Sequence, residues 1–443
     1  MKQTITRGRA IQREHGHRIQ SMSRFLLLAS ALCLPVAAFG CNRSRADGAP
    51  SAGSAAPTGS TAAFGGGPQP LLPGATCAFP DRIDADVTIE PGCVVDVRHS
   101  TLVESGHTLT IGAGATLRFA EATYLEVGHK GSRLVARGTA DKPILFTSGT
   151  EMPKPGDWVG IVFDDAIGKE GALLEHAIVE YAGRDSHGGE GAITVFRAFP
   201  AGSVSIVDTT FRRDNLAAVS NHHDAATFGR FERNTFSDNA RDLRVSAPVL
   251  AAMGSGNDLS DEIEVAGGTV TKSGELPKTK GAIYVTEPIY VGTESSTPKY
   301  PVDLSEVPVL TIPSGSTLRF APKTWLEVGT KGPGGLHAEN VTFTSAADKP
   351  APGDWVGLIF GEHAQATRVT GSTIQYAGAE EHGGDAAITF VGSRSWEGLD
   401  VTLLFITFQS CAQAQLSSNG EGCNKGLDPR NGMVFGGGVE PCR

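Results

Sequence analysis

Short runs in which apolar and polar residues alternate recur along most of the chain. In Leu117, Arg118 and Phe119 the two apolar side chains would point to one side and the arginine to the other. Turn residues separate such runs, for example at 112–114 and 313–315, where glycine or proline is present. Alternation with a period of two is typical of β-strands, and amphipathic helix patterns are almost absent after the N-terminal segment. The pattern predicts an all-β protein built from many short strands.

The runs belong to internal repeats. Segment 87–97 overlays 109–119 at a shift of 22 residues, and 109–119 recurs as 310–320 at a shift of 201. The chain is therefore an approximate duplication of a long unit that is itself made of shorter repeats. Other matching pairs are 124–128 with 325–329, 155–163 with 352–360, 180–183 with 375–378, 187–194 with 382–389, and 204–211 with 401–408.

Strands this short cannot bury an apolar face alone. A coil of about 20–25 residues, stacked on the next at about 4.8 Å, would let each strand pair with its equivalents above and below. The repeats thus predict a parallel β-helix with a first half at 77–270 and a second half at 271–443. Residues 258–308 could continue one coil stack or form a hinge. A sandwich would not explain the short shifts, and no propeller blade signature is present.

Several motifs together point to a known family. They are LTI-x-x-G-x-TL-x-F at 109–119 and 310–320, the run 140–148, PGDWVG at 155–160 and 352–357, and the Tyr-Ala-Gly triplets. The chain resembles right-handed parallel β-helix proteins of the pectate-lyase-like superfamily, in particular the exported repeat type of bacterial surface proteins. The resemblance covers about 85–410 and implies the fold, whereas fold alone does not fix activity.

The N-terminal segment is interpreted as a targeting signal. An apolar run from Phe25 to Ala38 ends at Cys41 and is shorter than the ~20 residues a bilayer-spanning helix needs. We expect 1–40 to be a lipoprotein signal peptide with Met1 or Met22 as the start, Cys41 to be the lipidated (palmitate-bearing) residue, and 41–76 to be a flexible tether. A cleaved secretory signal is the alternative. Lipidation predicts an exported protein held by its anchor at the outer membrane or cell surface, or facing the periplasm.

The net charge of the chain indicates which classes of binding partner are unfavourable. The formal net charge is −10, and removing 1–40, with six basic residues and one acidic residue, takes it to about −15. An acidic body argues against nucleic acid and against an anionic membrane surface. It also disfavours acidic polysaccharides.

The cysteines of an exported protein are expected to form disulfides. Cys77 and Cys93 are close in sequence and are predicted to pair. Cys33 lies in the predicted signal and Cys41 is the predicted lipid site. Of the three cysteines after residue 400, Cys411 and Cys423 are the predicted pair, and the pairing of Cys442 stays open. No cysteine spacing suggests a zinc site.

Two histidines occupy equivalent places in the repeat. His187 and His382 are each followed by Gly-Gly and then by an acid, Glu190 or Asp385. A histidine with a carboxylate three residues later could bind a ligand or exchange protons. The alternative is a glycine-rich loop in which the histidine is merely solvated, because duplication copies structural residues equally well.

The Asp-Trp pairs after Pro-Gly are also candidates. Asp157-Trp158 and Asp354-Trp355 could contact a sugar ring, since aromatic faces suit carbohydrate surfaces. The simpler interpretation is that each aspartate caps a turn and each tryptophan seals the stack. The outward acids Glu126 and Glu327 are interpreted as parts of a solvated face.

Three functional hypotheses follow. The first is non-enzymatic surface binding of a glycan or protein, or a structural role in the envelope. The second is a polysaccharide lyase, hydrolase or epimerase acting on one groove, which three or more carboxylates converging with Arg or Lys on one face would favour. The third is an adhesin or a subunit of an envelope complex. No catalytic residue can be assigned, no metal site is predicted, and no cofactor is expected unless calcium binds.

Overall fold

The computed structural model describes residues 77–128, 130–164, 167–169, 171–260, 263–294, 302–383, 386–392, 399–412, 414–418, 421–422 and 433–436. All of these lie within one compact unit, residues 70–443. The predicted signal peptide, Cys41 and the tether lie outside the described residues. Within them, no helix is long and apolar enough to cross a membrane.

Strands make up nearly all the regular structure of the first half. In chain order they are β1 (Arg82–Ile83), β2 (Val87–Ile89), β3 (Val94–Val97), β4 (Thr101–Val103), β5 (Thr108–Ile111), β6 (Thr116–Phe119), β7 (Tyr124–Val127), β8 (Arg133–Arg137), β9 (Ile144–Ser148), β10 (Gly160–Phe163), β11 (Ala172–Glu175), β12 (Ala177–Glu180), β13 (Ile193–Val195), β14 (Val204–Val207), β15 (Thr210–Arg212), β16 (Val219–Asn221), β17 (Arg230–Glu232), β18 (Thr235–Ser237) and β19 (Leu243–Val245).

One short helix, α1 (Ala247–Ala251), and a 3-10 turn at Leu304–Glu306 interrupt the series of strands. The strands after α1 begin with one that still lies in the predicted first half, 77–270, and the others belong to the second half. These strands are β20 (Ile263–Val270), β21 (Gly274–Glu275), β22 (Ile283–Val291), β23 (Val309–Ile312), β24 (Thr317–Phe320), β25 (Trp325–Val328), β26 (Gly335–Glu339), β27 (Thr342–Ser345), β28 (Gly357–Gly361), β29 (Thr367–Thr370), β30 (Thr373–Gln375), β31 (Ala386–Val391), β32 (Val401–Leu404), β33 (Thr407–Gln409), β34 (Ala414–Ser418), β35 (Glu421–Gly422) and β36 (Met433–Gly436).

The first-half strands stack in three parallel columns, one strand of each per coil. Column A contains β3, β6, β9, β12, β15 and β18, and column C contains β2, β5, β8, β11, β14 and β17. Column B runs through β1, β4, β7, β10, β13, β16 and β19. Each strand pairs with the equivalent strand one coil away. The prediction of a parallel β-helix solenoid is therefore confirmed.

The inward positions of the strands form one continuous apolar core. Alternation along each strand produces it: in β5, for example, Leu109 and Ile111 are buried and the two threonines are half-buried. Leu109 lies beside Leu134 in the next coil, which in turn lies beside Ala172. Each fully buried Leu, Ile, Val or Phe contributes about 1.5–3 kcal/mol relative to leaving it exposed, so the coils stabilise one another through their inner faces.

A ladder of amide side chains, here called the asparagine ladder, closes the corners of several coils. Asn234 Oδ1 accepts a hydrogen bond from Thr209 N at 3.0 Å, while its Nδ2 donates to Ile206 O at 2.9 Å. Asn257 repeats both contacts one coil later, with Asn234 N and Phe231 O. Asn239 makes the same pair of contacts at the next corner, with Asp214 N and Phe211 O of the preceding coil. These side chains satisfy main-chain groups at corners where no strand neighbour is present.

The two halves share one stack but are out of phase. The first three residues of β20 pair with β19 and with the start of β22, whose first residues pair with β24. Column B therefore continues into β24, β27, β30 and β33. In the sequence repeat, however, β24 is equivalent to β6, which lies in column A.

The ends of β20 and β22 begin another column. The last residues of β20 pair with those of β22, which pair with β25, and this column D continues through β28, β31 and β34. Column E contains β21, β23, β26, β29, β32 and β36. Each repeat element of the second half is thus displaced by one column from its first-half equivalent.

Of the two predicted disulfides, the structure contains the one between Cys77 and Cys93. Cys77 and Cys93 form a disulfide at the first coil, with an S–S distance of 1.96 Å. Cys411 is a free thiol whose Sγ lies 3.7 Å from Ile374 O, so the structure does not contain the predicted Cys411–Cys423 bond at this residue. Cys423 and Cys442 lie outside the described residues.

Candidate functional site

A three-residue cluster occurs twice on the outer surface. In the first cluster, Tyr124 and Glu126 project from β7, and His187 comes from the loop between β12 and β13. The imidazole lies flat on the Tyr124 ring, with centroids 4.0 Å apart and planes 8° apart. Its Nε2 is 3.4 Å from Glu126 Oε2. The loop therefore places an aromatic ring, an imidazole and a carboxylate side by side.

The second cluster consists of Trp325, Glu327 and His382 and has the same geometry. The rings of His382 and Trp325 are 4.1 Å apart with planes 13° apart, and His382 Nε2 is 2.8 Å from Glu327 Oε2. Trp325 Nε1 donates to Glu327 Oε2 at 2.9 Å, and the Thr330 hydroxyl donates to Glu327 Oε1. The carboxylate of the second cluster is thus held by three donors.

Local backbone geometry explains how the loops reach the strands. The ladder position beside Tyr124 is Gly160, and the one beside Trp325 is Gly357, so no side chain competes with the imidazole for the ring. Both glycines have φ above 130°, and a Cβ there would lie 2.5 Å from a main-chain oxygen. His187 and His382 both have φ of 51°, which is unfavourable for a side-chain-bearing residue.

In both clusters the carboxylate is more buried than the histidine. The Glu126 side chain is 16% exposed and the Glu327 side chain 6%, whereas the His187 and His382 side chains are 47% and 43% exposed. Burial and the neighbouring Glu126 charge raise the pKa of the Tyr124 hydroxyl, which stays protonated at neutral pH. Each cluster can therefore offer a bound molecule an accessible imidazole backed by a fixed carboxylate.

A polar cavity adjoins the second cluster. Its volume is about 510 Å³, and its walls include Thr330, which contacts Glu327, and Lys331. Lys331 Nζ lies 4.4 Å above the Tyr290 ring, which meets Trp325 edge-on at 6.3 Å. Ligand pockets in proteins have volumes of about 300–1,000 Å³. The cavity is therefore large enough for a small ligand or one unit of a polymer.

A charged cluster lies farther along column B. Arg244 connects two carboxylates: its Nη1 is 2.6 Å from Glu190 Oε2 and its Nε is 3.1 Å from Glu264 Oε1. Arg241 pairs with Glu264 at 2.6 Å, and His222 Nε2 lies 3.3 Å from Glu190. Burial lowers the pKa of His222, and the Arg244 charge adds to this despite Glu190. The carboxylates are thus neutralised by partners within the cluster.

The expected pairing of each histidine with the acid three residues later does not describe the first half. The Glu190 side chain belongs to the charged cluster and pairs with Arg244. The main-chain N of Glu190 donates to Thr194 Oγ1 at 3.0 Å. His187 contacts Glu126, which is 61 residues earlier. His382 likewise contacts Glu327, and Asp385 lies outside the described residues. The loop folds back onto an earlier coil, a contact that local spacing does not reveal.

The two tryptophans of the Asp-Trp pairs are interior residues. Trp158 and Trp355 are 0% exposed. They stack on Phe119 and Phe320, with ring centroids 4.0 and 4.2 Å apart. Each indole Nε1 donates to a main-chain carbonyl oxygen, at 2.9 and 2.8 Å. The hypothesis that these rings contact a sugar is therefore wrong, because the rings fill the core of their coils.

The aspartates of the same pairs cap turns, as the simpler interpretation has it. Asp157 Oδ2 accepts hydrogen bonds from Ser148 Oγ at 2.7 Å and from Lys154 N at 3.0 Å. Asp354 Oδ2 accepts one from Ser345 Oγ at 2.6 Å. Burial alone would raise the pKa of Asp157, but these hydrogen bonds hold it below its ordinary value. The carboxylates are engaged in the protein's own loops.

Sequence reasoning missed four members of the clusters: Tyr124, Glu126, Trp325 and Glu327. They lie at matching positions of the repeated segments 124–128 and 325–329, so the repeat contained a signal. An acid that alternates with apolar residues is normally a solvated strand position, which is how Glu126 and Glu327 were interpreted. Only the folded structure shows that a histidine contacts each of these two glutamates.

Within the described residues, no group of three or more His, Cys, Asp or Glu side chains could hold a metal ion. Calcium binding stays a hypothesis.

The chain was compared with known proteins. No curated protein and no solved structure matches it. Residues 81–207 match the family model described as a pectate-lyase-like beta helix domain. Together with the parallel columns of strands, this match shows that the protein folds as a right-handed parallel β-helix.

Proposed function

We propose that the protein is an exported, lipid-anchored β-helix that binds a neutral or cationic glycan at the two clusters without converting it. The observation that carries this proposal is the second cluster, in which His382 lies on the Trp325 ring and contacts Glu327. Thr330, which donates to Glu327, also lines a polar cavity of about 510 Å³. The same three-part arrangement at the first cluster supports it.

The chemistry of the cluster suits sugar hydroxyls and amines. A carboxylate accepts hydrogen bonds from hydroxyl or ammonium groups, and an imidazole can donate or accept one. The net charge of about −15 after removal of 1–40 would repel a polyuronate. These features favour a neutral or amino sugar over an acidic one.

The location forms part of the proposal. The apolar run before Cys41 and the Gly-, Ser- and Pro-rich stretch up to residue 76 support a lipid anchor followed by a tether. Such an anchor would hold the β-helix at the outer membrane or cell surface, where envelope glycans are available.

Binding of three hexasaccharides would test the function. The full chain with Cys41→Ser, which can be purified without lipid, is titrated with hexamers of N-acetylglucosamine, glucosamine and galacturonate. We expect the neutral or the cationic hexamer to bind, and the double variant His187→Ala/His382→Ala to weaken that binding at least tenfold. His107→Ala, which replaces a half-exposed histidine beside Asp86, is the matched control and should bind normally. Preferential binding of galacturonate, or no binding at all, would refute the proposal.

A second candidate function is polysaccharide cleavage or epimerisation. The charged cluster is the observation nearest to it, because Glu190 and Glu264 converge with Arg241 and Arg244 and His222 adjoins them. Two carboxylates are fewer than the three or more that would favour an enzyme. Against it, each carboxylate is already ion-paired, which opposes a role as general base. Assays for new reducing ends and for unsaturated products on any bound polymer decide the matter. Product formation that Glu190→Gln abolishes would establish the enzyme.

A further inference from the structure

The two clusters occupy different columns of the β-helix. Tyr124 and Glu126 lie on β7 in column B, whereas Trp325 and Glu327 lie on β25 in column D. The cause is the junction after β19, where the second half resumes the repeat one column out of phase. An internal duplication with an integral number of coils would have placed both clusters in one line.

The column that carries a cluster determines which residues lie beside it along the β-helix. The ladder positions that follow Glu126 along column B are Val162, Thr194, Ser220, Arg244, Glu264, Tyr284 and Arg319. The first three of these positions are buried, and Glu327 is absent from the ladder because it belongs to column D. A glycan bound at the first cluster therefore has no open run of column-B positions that leads to the second cluster.

The axial separation is also large for a short ligand. Seven strand spacings separate the coil of β7 from that of β25, passing through β10, β13, β16, β19, β20 and β22. At about 4.8 Å per spacing this is about 34 Å. A di- or trisaccharide that fills one cluster thus leaves the other free.

We infer that the protein is bivalent, with one glycan site at each cluster, and that it cross-links glycan strands. The inference rests on the proposed glycan binding and adds the number and arrangement of the sites. Two sites on one rigid scaffold raise the avidity for a long polymer without any further contact. A protein that binds at two columns can hold two strands at a fixed spacing.

The sites should differ in affinity. Glu327 is fixed by Trp325 Nε1, Thr330 and His382, and it is more buried than Glu126. A site whose groups are already oriented loses less entropy on binding. The second cluster is therefore expected to be the tighter of the two.

Calorimetry on the full chain with Cys41→Ser tests the stoichiometry, using the tightest binder among the three hexamers named above. We expect two sites for the parent protein, one for His187→Ala, one for His382→Ala and none for the double variant. Glu126→Gln and Glu327→Gln serve as milder second variants if an alanine variant fails to fold. Thermal unfolding of each variant shows whether the loss reflects binding or folding.

A cross-linking assay supplies an independent readout. Light scattering follows the parent protein mixed with a long polymer of the same sugar, with His107→Ala as the matched control. The parent and the control should cluster the polymer, while each single-cluster variant should bind it without clustering. One site in the parent protein, or loss of both sites through one substitution, would overturn bivalency and leave glycan binding standing. Binding to none of the hexamers would overturn both.

Discussion

The buried carboxyl of Asp214 offers a sharp test of how the coil corners are built. Asp214 occupies a position of the asparagine ladder, one coil before Asn239. Its Oδ1 accepts a hydrogen bond from Ala182 N at 2.8 Å, but its buried Oδ2 has no hydrogen-bond partner. Burial raises the pKa of this carboxyl well above 3.8, and the Glu180 charge adds to the effect. We predict that Asp214→Asn stabilises the protein.

The ladder shows which contact the new amide would make. Each asparagine accepts from a main-chain N through Oδ1 and donates through Nδ2 to the carbonyl three residues before that N; Asn239, for example, contacts Asp214 N and Phe211 O. For residue 214 the corresponding carbonyl is Val179 O, three residues before Ala182. A buried polar atom without a partner costs about 1–3 kcal/mol. The free energy of unfolding at pH 7 should rise by about that amount.

The pH dependence follows from the same carboxyl. Because its pKa is higher in the folded than in the unfolded state, the folded protein binds more protons above pH 3.8. The free energy of unfolding of the parent protein therefore falls as pH rises through the folded-state pKa of Asp214. The advantage of Asp214→Asn should be smallest below pH 3.8 and should increase toward neutrality.

Urea unfolding followed by circular dichroism at several pH values measures both effects. Asn239→Asp is the matched control, because it removes the donor to Phe211 O and places a carboxyl at a half-buried corner, and it should destabilise by about 1 kcal/mol. The reasoning fails if Asp214→Asn lowers the urea midpoint at pH 7, or if its advantage does not change with pH.

Three further substitutions test separate parts of the structure. Trp158→Ala should lower the free energy of unfolding by about 3–5 kcal/mol in urea titrations, because it empties a fully buried site; an unchanged midpoint would place the ring outside the core. Replacing Cys77 and Cys93 by serine should cost about 3 kcal/mol for a sequence separation of 16, as measured against the parent protein with and without reductant. Cys41→Ser should move the protein from the membrane fraction to the soluble fraction, and persistence in the membrane would refute lipid anchoring.

The sequence was sufficient to predict the fold because the fold is repetitive. Alternation within runs such as 116–119, together with the shift of 22 residues, requires stacked short strands. In the structure Phe211 stacks on Phe236, its ladder partner in the next coil, with ring centroids 5.3 Å apart. The phase of the second half could not be predicted. It depends on α1 and the long strands β20 and β22, which belong to no repeat.

The candidate site was predicted only in part. His187 and His382 were found because they recur in both halves, whereas their partners Glu126 and Glu327 are 61 and 55 residues away. Contacts over such separations depend on which coil a loop folds back on. For Trp158 one interpretation of the sequence had an exposed ring where the structure has a buried one. The neighbouring residues in the sequence do not reveal whether a ring is buried, because burial depends on Phe119, which lies in another coil.

The junction explains why the duplicated clusters could survive on different columns. In a solenoid each coil contacts mainly the coils beside it, so a change of phase needs to be accommodated only between β19 and β22. The described coils beyond that point stack with their own repeat partners, as β25 does with β28. The His382 loop therefore meets Trp325 and Glu327 as the His187 loop meets Tyr124 and Glu126, although the column has changed. Each cluster is a local unit that any column can carry, and a phase change after duplication is enough to place the two clusters on different columns.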